Sequence, residues 1–493
     1  MTLGSYPTTG LIDLVFCSCW GYPFFSIADR NATEASGTRR KSVYMKNSCY
    51  MLIEKYMNWI AVIVGLVPLG FLVFFVSQHY INVPFSDQWG LVPLIEKSLR
   101  GDLSFEDLWV QKNVHRILFP KIIMLSLAVK THWDIAYEVA VSIILSCGIY
   151  VMILWQTFRT FSQQKLKQPI DAPILLSLFI FSLSQYENWL WGMQIQIFLN
   201  LFVVVAGLFI LNNRLGYSHV IVAIILGFIA THSFANGLVY WVVGLIAVLF
   251  LPAKPKVRWI YIILWIVFGA ITIFSFFYGY ILKGQGVSGL LSNPASCLLY
   301  VFVALGAPVV AFHVNGAAIA GVSGICLFVL VVLYLLRKCH TPMEQLIPYI
   351  CFALYAIGSA VLTSIGRGDL GIQQAASSRY ITTSNLLWIA NIVLLSLAFH
   401  RQSDGKNNLR TGKNYTVQAF FVFLLPFIIL SYFTGMKSGV GLGNATRVAR
   451  VSILVTYPET NLAVIRMLNY NRPIYARQML DTLKHYHLSL FRE

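Results

Sequence analysis

Apolar runs of about twenty residues recur along this chain, and a run of that length is what a helix needs to cross the hydrocarbon core of a bilayer. They read as spans at roughly 59–77, 135–157, 171–186, 194–212, 218–232, 237–252, 259–281, 317–337, 345–365, 381–400 and 416–435, each about 15–23 residues long. Hydrophobic residues make up 57% of the 493 and charged ones only 11%, with a mean hydropathy of +0.70. No soluble core can absorb that much apolar surface. The fold class expected is therefore an all-α polytopic membrane protein with about 11 transmembrane helices.

Two apolar pieces fit this scheme poorly. Residues 117–131 carry two lysines and a proline, which suits a helix lying at the membrane interface. Residues 293–313 carry Pro294, Gly306 and Pro308 and read as re-entrant, dipping into the membrane and returning on one side. Residues 1–44 contain Asp13, Asp29 and Glu34, lack a basic leader and hold no run long enough to span. A working start at Met45 or Met51 would account for them. The organisation expected is a cytoplasmic segment over 1–57, a membrane domain over 58–435 with an outer loop at 78–134, and an outer tail over 436–493 that caps this loop.

The net charge of +17 would suggest nucleic acid in a soluble protein; here the basic residues sit in short loops. With the amino terminus inside, 19 of the 36 Lys and Arg residues fall in cytoplasmic segments and 3 in short outer connections. The long first loop holds 6 and the tail 8, and long segments count little toward orientation. The first loop and the 366–380 loop are then outside. Eight scattered cysteines offer neither a disulfide framework nor a CxxC metal site.

The stretch Asn82–Lys121 holds Asp87, Glu96, Asp102, Glu106 and Asp107, five of the 19 acidic residues, and is cut into short amphipathic pieces by Pro84, Pro93 and Gly101. Four polar clusters on the outer side need explaining, because polar groups at membrane depth are costly. Ser86-Asp87-Gln88-Trp89 places a carboxylate just beyond the first span, where it can serve as a general base or cap a helix. Glu106-Asp107, followed by Asn113, His115 and Arg116, offers two adjacent carboxylates and a set of anion donors; its duller reading is a solvated helix face anchored by Trp109. Gln185 to Gln194 sets Glu187 between aromatic residues, including Trp189 and Trp191, and the turn Thr231–Gly237 adds His232 and Asn236. These match either a sugar-binding surface or an aromatic belt. Arg367 and Arg379, with Tyr380, run against the positive-inside trend; a phosphate held through forked hydrogen bonds explains them, as would an ion pair with Asp87, Glu106 or Asp107. No P-loop, dinucleotide fingerprint, HExxH or nucleophile elbow is present.

The order of these parts (a first span, an acidic outer loop with amphipathic helices, His-Arg-Ile-Leu-Phe-Pro-Lys before an interfacial helix, then a second span) resembles the GT-C superfamily of integral membrane glycosyltransferases. Within it, the chain length, re-entrant piece and outer tail resemble the phage-type O-antigen glucosyltransferases of serotype conversion. The resemblance covers roughly residues 58–400 and implies a polyprenyl-phosphate-linked sugar donor and a glycan or lipid-linked acceptor. It also implies a bacterial inner membrane with the active face periplasmic. Asp87 matches the acidic position after the first span, as base of an inverting transfer. His115, Arg116, Arg367 and Arg379 would receive the donor phosphate. Trp89, Glu187, Trp189, Trp191, Gln194, His232, Asn236 and Tyr380 would shape the sugar and acceptor groove. Many GT-C enzymes pair two acidic residues at the first position. Here Gln88 follows Asp87, which leaves a divalent cation (Mg or Mn) open, with Asp87, Glu106 and Asp107 as its candidate ligands. Nucleic acid is not among the partners implied. A transporter or flippase of lipid-linked sugars would use the same arginines and aromatic groove without a base.

Overall fold

The computed structural model describes residues 56–213, 216–250, 252–281, 292–404 and 416–492. The segment over 1–44 and its proposed upstream start lie outside them. The described residues fold as helices, and eight of these are long and apolar enough to cross a membrane: Tyr56–His79, Ala136–Gln163, Gly192–Asn213, Pro255–Phe277, Val314–Arg337, Met343–Leu370, Ser378–Arg401 and Phe423–Thr456. Three shorter apolar helices, Tyr217–Thr231, Gly237–Leu249 and Pro294–Gly306, lie among them.

The crossing read at 171–186 is not one helix. Ala172–Ile180 has nine residues, about 14 Å of rise, and is followed by a 3-10 turn at Leu183–Gln185 and a five-residue helix at Tyr186–Leu190. Polar side chains satisfy the backbone freed by these breaks: Gln185 Nε2 donates to the Ile180 carbonyl at 2.7 Å, and Asn385 Nδ2 to the Phe179 carbonyl at 2.7 Å. The expected spans 218–232 and 237–252 form helices of only 15 and 13 residues. Pro294–Gly306 falls in the piece read as re-entrant. It folds back on Val314–Arg337, with Gly306 against Ala317 and Gly321 against Phe302.

The last span does not stop near residue 435. Thr416–Thr456 is a helix of 41 residues, about 60 Å long. Hydropathy falls after Phe433, yet the helix continues because a row of small residues lets it seat closely. A side chain at Gly435 would strike the Leu183 carbonyl, at Gly439 the Phe75 ring, and at Gly443 the His79 carbonyl.

Beyond the membrane helices a second hydrophobic core forms from the first outer loop and the tail. It joins Trp89, Val92 and Ile95 with Ile453, Ile465, Leu480 and Leu490. Leu118–Thr131, the piece read as interfacial, turns Met124, Leu125 and Ala128 into this core. The tail helices Leu462–Leu468 and Pro473–His485 lie within the 459–485 stretch, where the sequence reads as helical. Polar ties close the lobe: Arg100 Nε donates to the Tyr486 hydroxyl at 3.0 Å, Asn82 Nδ2 to the Ser489 carbonyl at 3.3 Å, and Arg492 pairs with Asp134.

Candidate functional site

A small, partly open cleft lies where the ends of several helices meet the first outer loop. Asp87, Lys112, Asn113, His115, Trp191, Gln194, Gln196, Phe234, Arg367, Arg379 and Tyr380 are among its lining. Four segments far apart in sequence converge here, all assigned to one face by the Lys and Arg count.

Asp87 sits on the 3-10 turn Ser86–Leu91, entered through Ser86 in the left-handed region at φ 50°. Facing it is a tight turn whose strands exchange backbone bonds, Lys112 N to the His115 carbonyl at 2.8 Å and His115 N to the Lys112 carbonyl at 2.9 Å. Asn113 at its tip has φ 54°, a conformation asparagine tolerates better than most residues. This turn delivers three groups. Asn113 Nδ2 donates to Asp87 Oδ2 at 3.2 Å, and Lys112 Nζ donates to the Asp87 carbonyl at 2.6 Å. His115 stacks on Phe234 with ring centroids 4.0 Å apart and accepts at Nδ1 from Ala235 N at 3.2 Å.

Electrostatics sharpen these roles. Burial holds the His115 imidazole well below its usual range, and Arg367 pushes it further the same way. The ring is thus neutral near pH 7, and with Nδ1 accepting it carries its proton on Nε2. Burial also draws the Lys112 ammonium down to about 8, with Asp87 opposing this and Arg472 adding to it. No described carboxylate pairs with Arg367.

Arg379 is held from behind. Its Nε lies 3.6 Å from Glu187 Oε2 and its guanidinium 5.8 Å from the centre of the Trp191 ring. Glu187 also accepts from Ser378, and Asn188 Nδ2 donates to the Arg379 carbonyl at 3.1 Å. The ion-pair partner of Arg379 is therefore Glu187, and neither Asp87, Glu106 nor Asp107. Trp191 is 4% exposed, and its indole N–H has no partner among the described residues. The helices Ile195–Asn213 and Ser378–Asp404 both begin at the cleft, which adds the positive ends of their dipoles to the cationic side chains.

Several candidates lie elsewhere. Arg116 does not line the cleft: its Nε donates to the Phe276 carbonyl at 2.6 Å and its Nη1 to the Trp109 carbonyl at 2.8 Å, and Nη2 reaches the Tyr278 carbonyl. It anchors the Lys112–His115 turn to the end of Pro255–Phe277. Trp89 is fully buried in the outer core. Trp189 stacks on Phe198 and donates to the Ser182 carbonyl at 2.9 Å. Neither can form a groove wall, because neither reaches the surface. His232 is buried against Trp109 and bonded to the Phe228 carbonyl and Ser275. The turn bearing His232 and Asn236 contributes Phe234 to the cleft instead. Asp107 is spent on Lys97 at 2.6 Å and on the Ser104 cap, which hold its carboxyl down at about 2. Among the described residues no three His, Cys, Asp or Glu side chains gather to hold a metal ion.

Lys112, Phe234 and Gln196 escaped the sequence reading. Lys112 sits directly before Asn113, the turn tip, and the sequence gives no sign that the chain reverses there. Comparison with protein-family models, curated proteins and solved structures yields no match. What the chain establishes about itself is its architecture: an all-helical, multi-pass membrane protein with eight long apolar helices among the described residues.

Proposed function

We propose that this protein is an inverting membrane glycosyltransferase of GT-C type. It moves a hexose, glucose by resemblance, from a polyprenyl-phosphate donor to a cell-surface glycan such as O-antigen, at the periplasmic face of a bacterial inner membrane. One observation carries the reading: a single cleft holds one carboxylate, Asp87, among Lys112, Arg367 and Arg379, with the neutral donor His115 beside them. A phosphodiester needs such cations, and an acceptor hydroxyl needs such a base.

In the reaction the acceptor hydroxyl oxygen bonds to the anomeric carbon as the bond from that carbon to the phosphate oxygen breaks. Asp87 takes the hydroxyl proton, and Asn113 orients its carboxylate. The electron pair leaves with the polyprenyl phosphate, whose added charge is met by Lys112, Arg367 and Arg379 and by the His115 Nε2–H. Tyr380 offers an aromatic face for the sugar, and Trp191 lines the same cleft behind Arg379. Binding would hold the two reactants in line, which is where much of such a rate enhancement arises.

The test is transfer of labelled sugar from a polyprenyl-phosphate donor in membranes. Asp87→Asn should lower transfer by about 10²–10⁴-fold at normal protein level. Undiminished transfer by that variant would remove Asp87 as base. Donor that crosses the membrane without any transfer would favour the flippase.

A further inference from the structure

Behind the cleft lies a carboxylate that the proposed reaction does not use. Glu138, at the start of Ala136–Gln163, is fully buried. Two neutral donors reach it: Gln88 Nε2 donates to Oε2 at 2.8 Å and Trp133 Nε1 to Oε1 at 2.9 Å. No cation pairs with it among the described residues. Replacing this arrangement by apolar packing would cost little in stability, because buried charge is expensive to keep. Its position explains why it is there.

Gln88 is the residue after Asp87, and the same amide closes the turn by accepting at Oε1 from Phe85 N at 3.3 Å. Glu138 thus grips the turn that carries Asp87. On its other side it touches the cleft floor: a side chain at Gly192 would collide with Glu138 Oε2, and Gly192 opens the 3-10 turn ending at Gln194. Trp133, its second donor, sits in the left-handed region at φ 51° directly after His132 at φ 50°, so that corner too is held in a conformation such residues avoid. Three segments meet at one carboxylate: the Asp87 turn, the His132–Trp133 corner and the Gly192–Gln194 turn.

We infer that Glu138 is a positioning residue for Asp87, acting through Gln88 to fix the distance between the base and the cleft floor. This rests on the transferase reading and adds to it a residue that never touches substrate. Such a residue governs the rate of the chemical step and leaves donor binding, which belongs to Lys112, Arg367 and Arg379, largely alone.

A charge swap tests it. Glu138→Gln alone sets two amide donors against each other, and Gln88→Glu alone sets two carboxylates together. In the double variant the amide at 138 donates to the carboxylate at 88 and accepts from Trp133, while that carboxylate accepts from Phe85 N. Every hydrogen bond is rebuilt at unchanged volume. Each single variant should lose about 10- to 100-fold in kcat with donor KM little changed, the loss that a displacement near 1 Å brings. The double variant should recover to within about threefold of wild type. Trp133→Phe, which leaves the Gln88 bond intact, should keep most of the rate. Single variants that turn over like wild type would overturn the inference, as would a folded double variant no better than the singles, or losses appearing in KM alone. A wild type that transfers no sugar would overturn the transferase reading and the inference with it.

Discussion

Lys112 should make donor binding depend on pH in a window where a surface lysine would be silent. Burial draws its ammonium down from the usual 10.5 to about 8. Charged and neutral forms therefore exchange dominance between pH 7 and 9, from about ten to one to about one to ten. Asp87, Arg472 and Lys121 act on it electrostatically, and Arg367 and Arg379 line the same cleft. The guanidiniums stay charged throughout, whereas burial draws the Lys121 ammonium down to about 8 as well, so the Lys112 variants are needed to assign the change. His115 stays neutral across the window, because its imidazole is held well below 6.5. In the proposed transfer the donor phosphodiester would bind the charged form, so affinity should be greatest below about 8 and be lost as pH rises beyond it. A charge-assisted hydrogen bond of this kind contributes about 1.5–3 kcal/mol, or about 10- to 150-fold in affinity. Lys112→Met should therefore weaken donor KM by that factor at pH 7 and flatten its rise between pH 7 and 9.5. Lys112→Arg should keep binding tight at pH 9. Stability moves oppositely: the unfolded chain binds more protons between 8 and 10.5, so this group's contribution to folding improves as pH climbs through that range. The assay is donor titration of labelled transfer at fixed acceptor. A Lys112→Met enzyme with wild-type KM at pH 7, or a wild-type pH profile retained in Lys112→Arg, would refute the reasoning.

Arg116→Met should destabilise the protein by about 3 kcal/mol, since three carbonyls lose a charged donor, and should also slow transfer by loosening the Lys112 turn; denaturation in detergent and the transfer assay report the two effects. Ser86→Gly relieves a left-handed residue and should raise stability by about 0.5–1 kcal/mol while lowering the rate, because the turn bearing Asp87 gains freedom. Gly439→Leu should cost about 1–3 kcal/mol by forcing the last helix off Phe75, seen as a lower unfolding midpoint.

The membrane class and most helices were legible because hydropathy is a local property and spans are long. The break at 171–186 was not, because the run is apolar throughout and only the placement of Gln185 and Asn385 shows where the backbone is freed. The length of the last helix was hidden for a related reason: hydropathy marks where the bilayer ends, whereas the glycines at 435, 439 and 443 decide where the helix continues. Within the site, Asp87, His115, Trp191, Gln194, Arg367, Arg379 and Tyr380 do share one cleft. Residue type could not separate them from Arg116, Trp89, Trp189 and His232, which have the same chemistry but face inward. Which way a side chain faces depends on partners far along the chain, such as the carbonyls of the Pro255–Phe277 helix end for Arg116. Glu138 had no outward sign at all, because its partner Gln88 is 50 residues away.

The 41-residue helix, which runs on past an interior proline at Pro426, bears on where the cleft sits. At about 60 Å it is twice the thickness of the hydrocarbon core, so one end belongs to the bilayer and the other to the outer lobe. A lipid-anchored substrate presents its reacting atoms at a height set by its own anchor, and an enzyme that meets it must keep its cleft at that same height. Seated by Gly439 and Gly443 against the first span and by Gly435 against the Leu183–Gln185 turn, the helix cannot slide or swivel without losing those contacts. For the proposed transfer from a lipid-linked donor, it would act as a depth gauge, carrying the level of the membrane to the lobe beside the cleft.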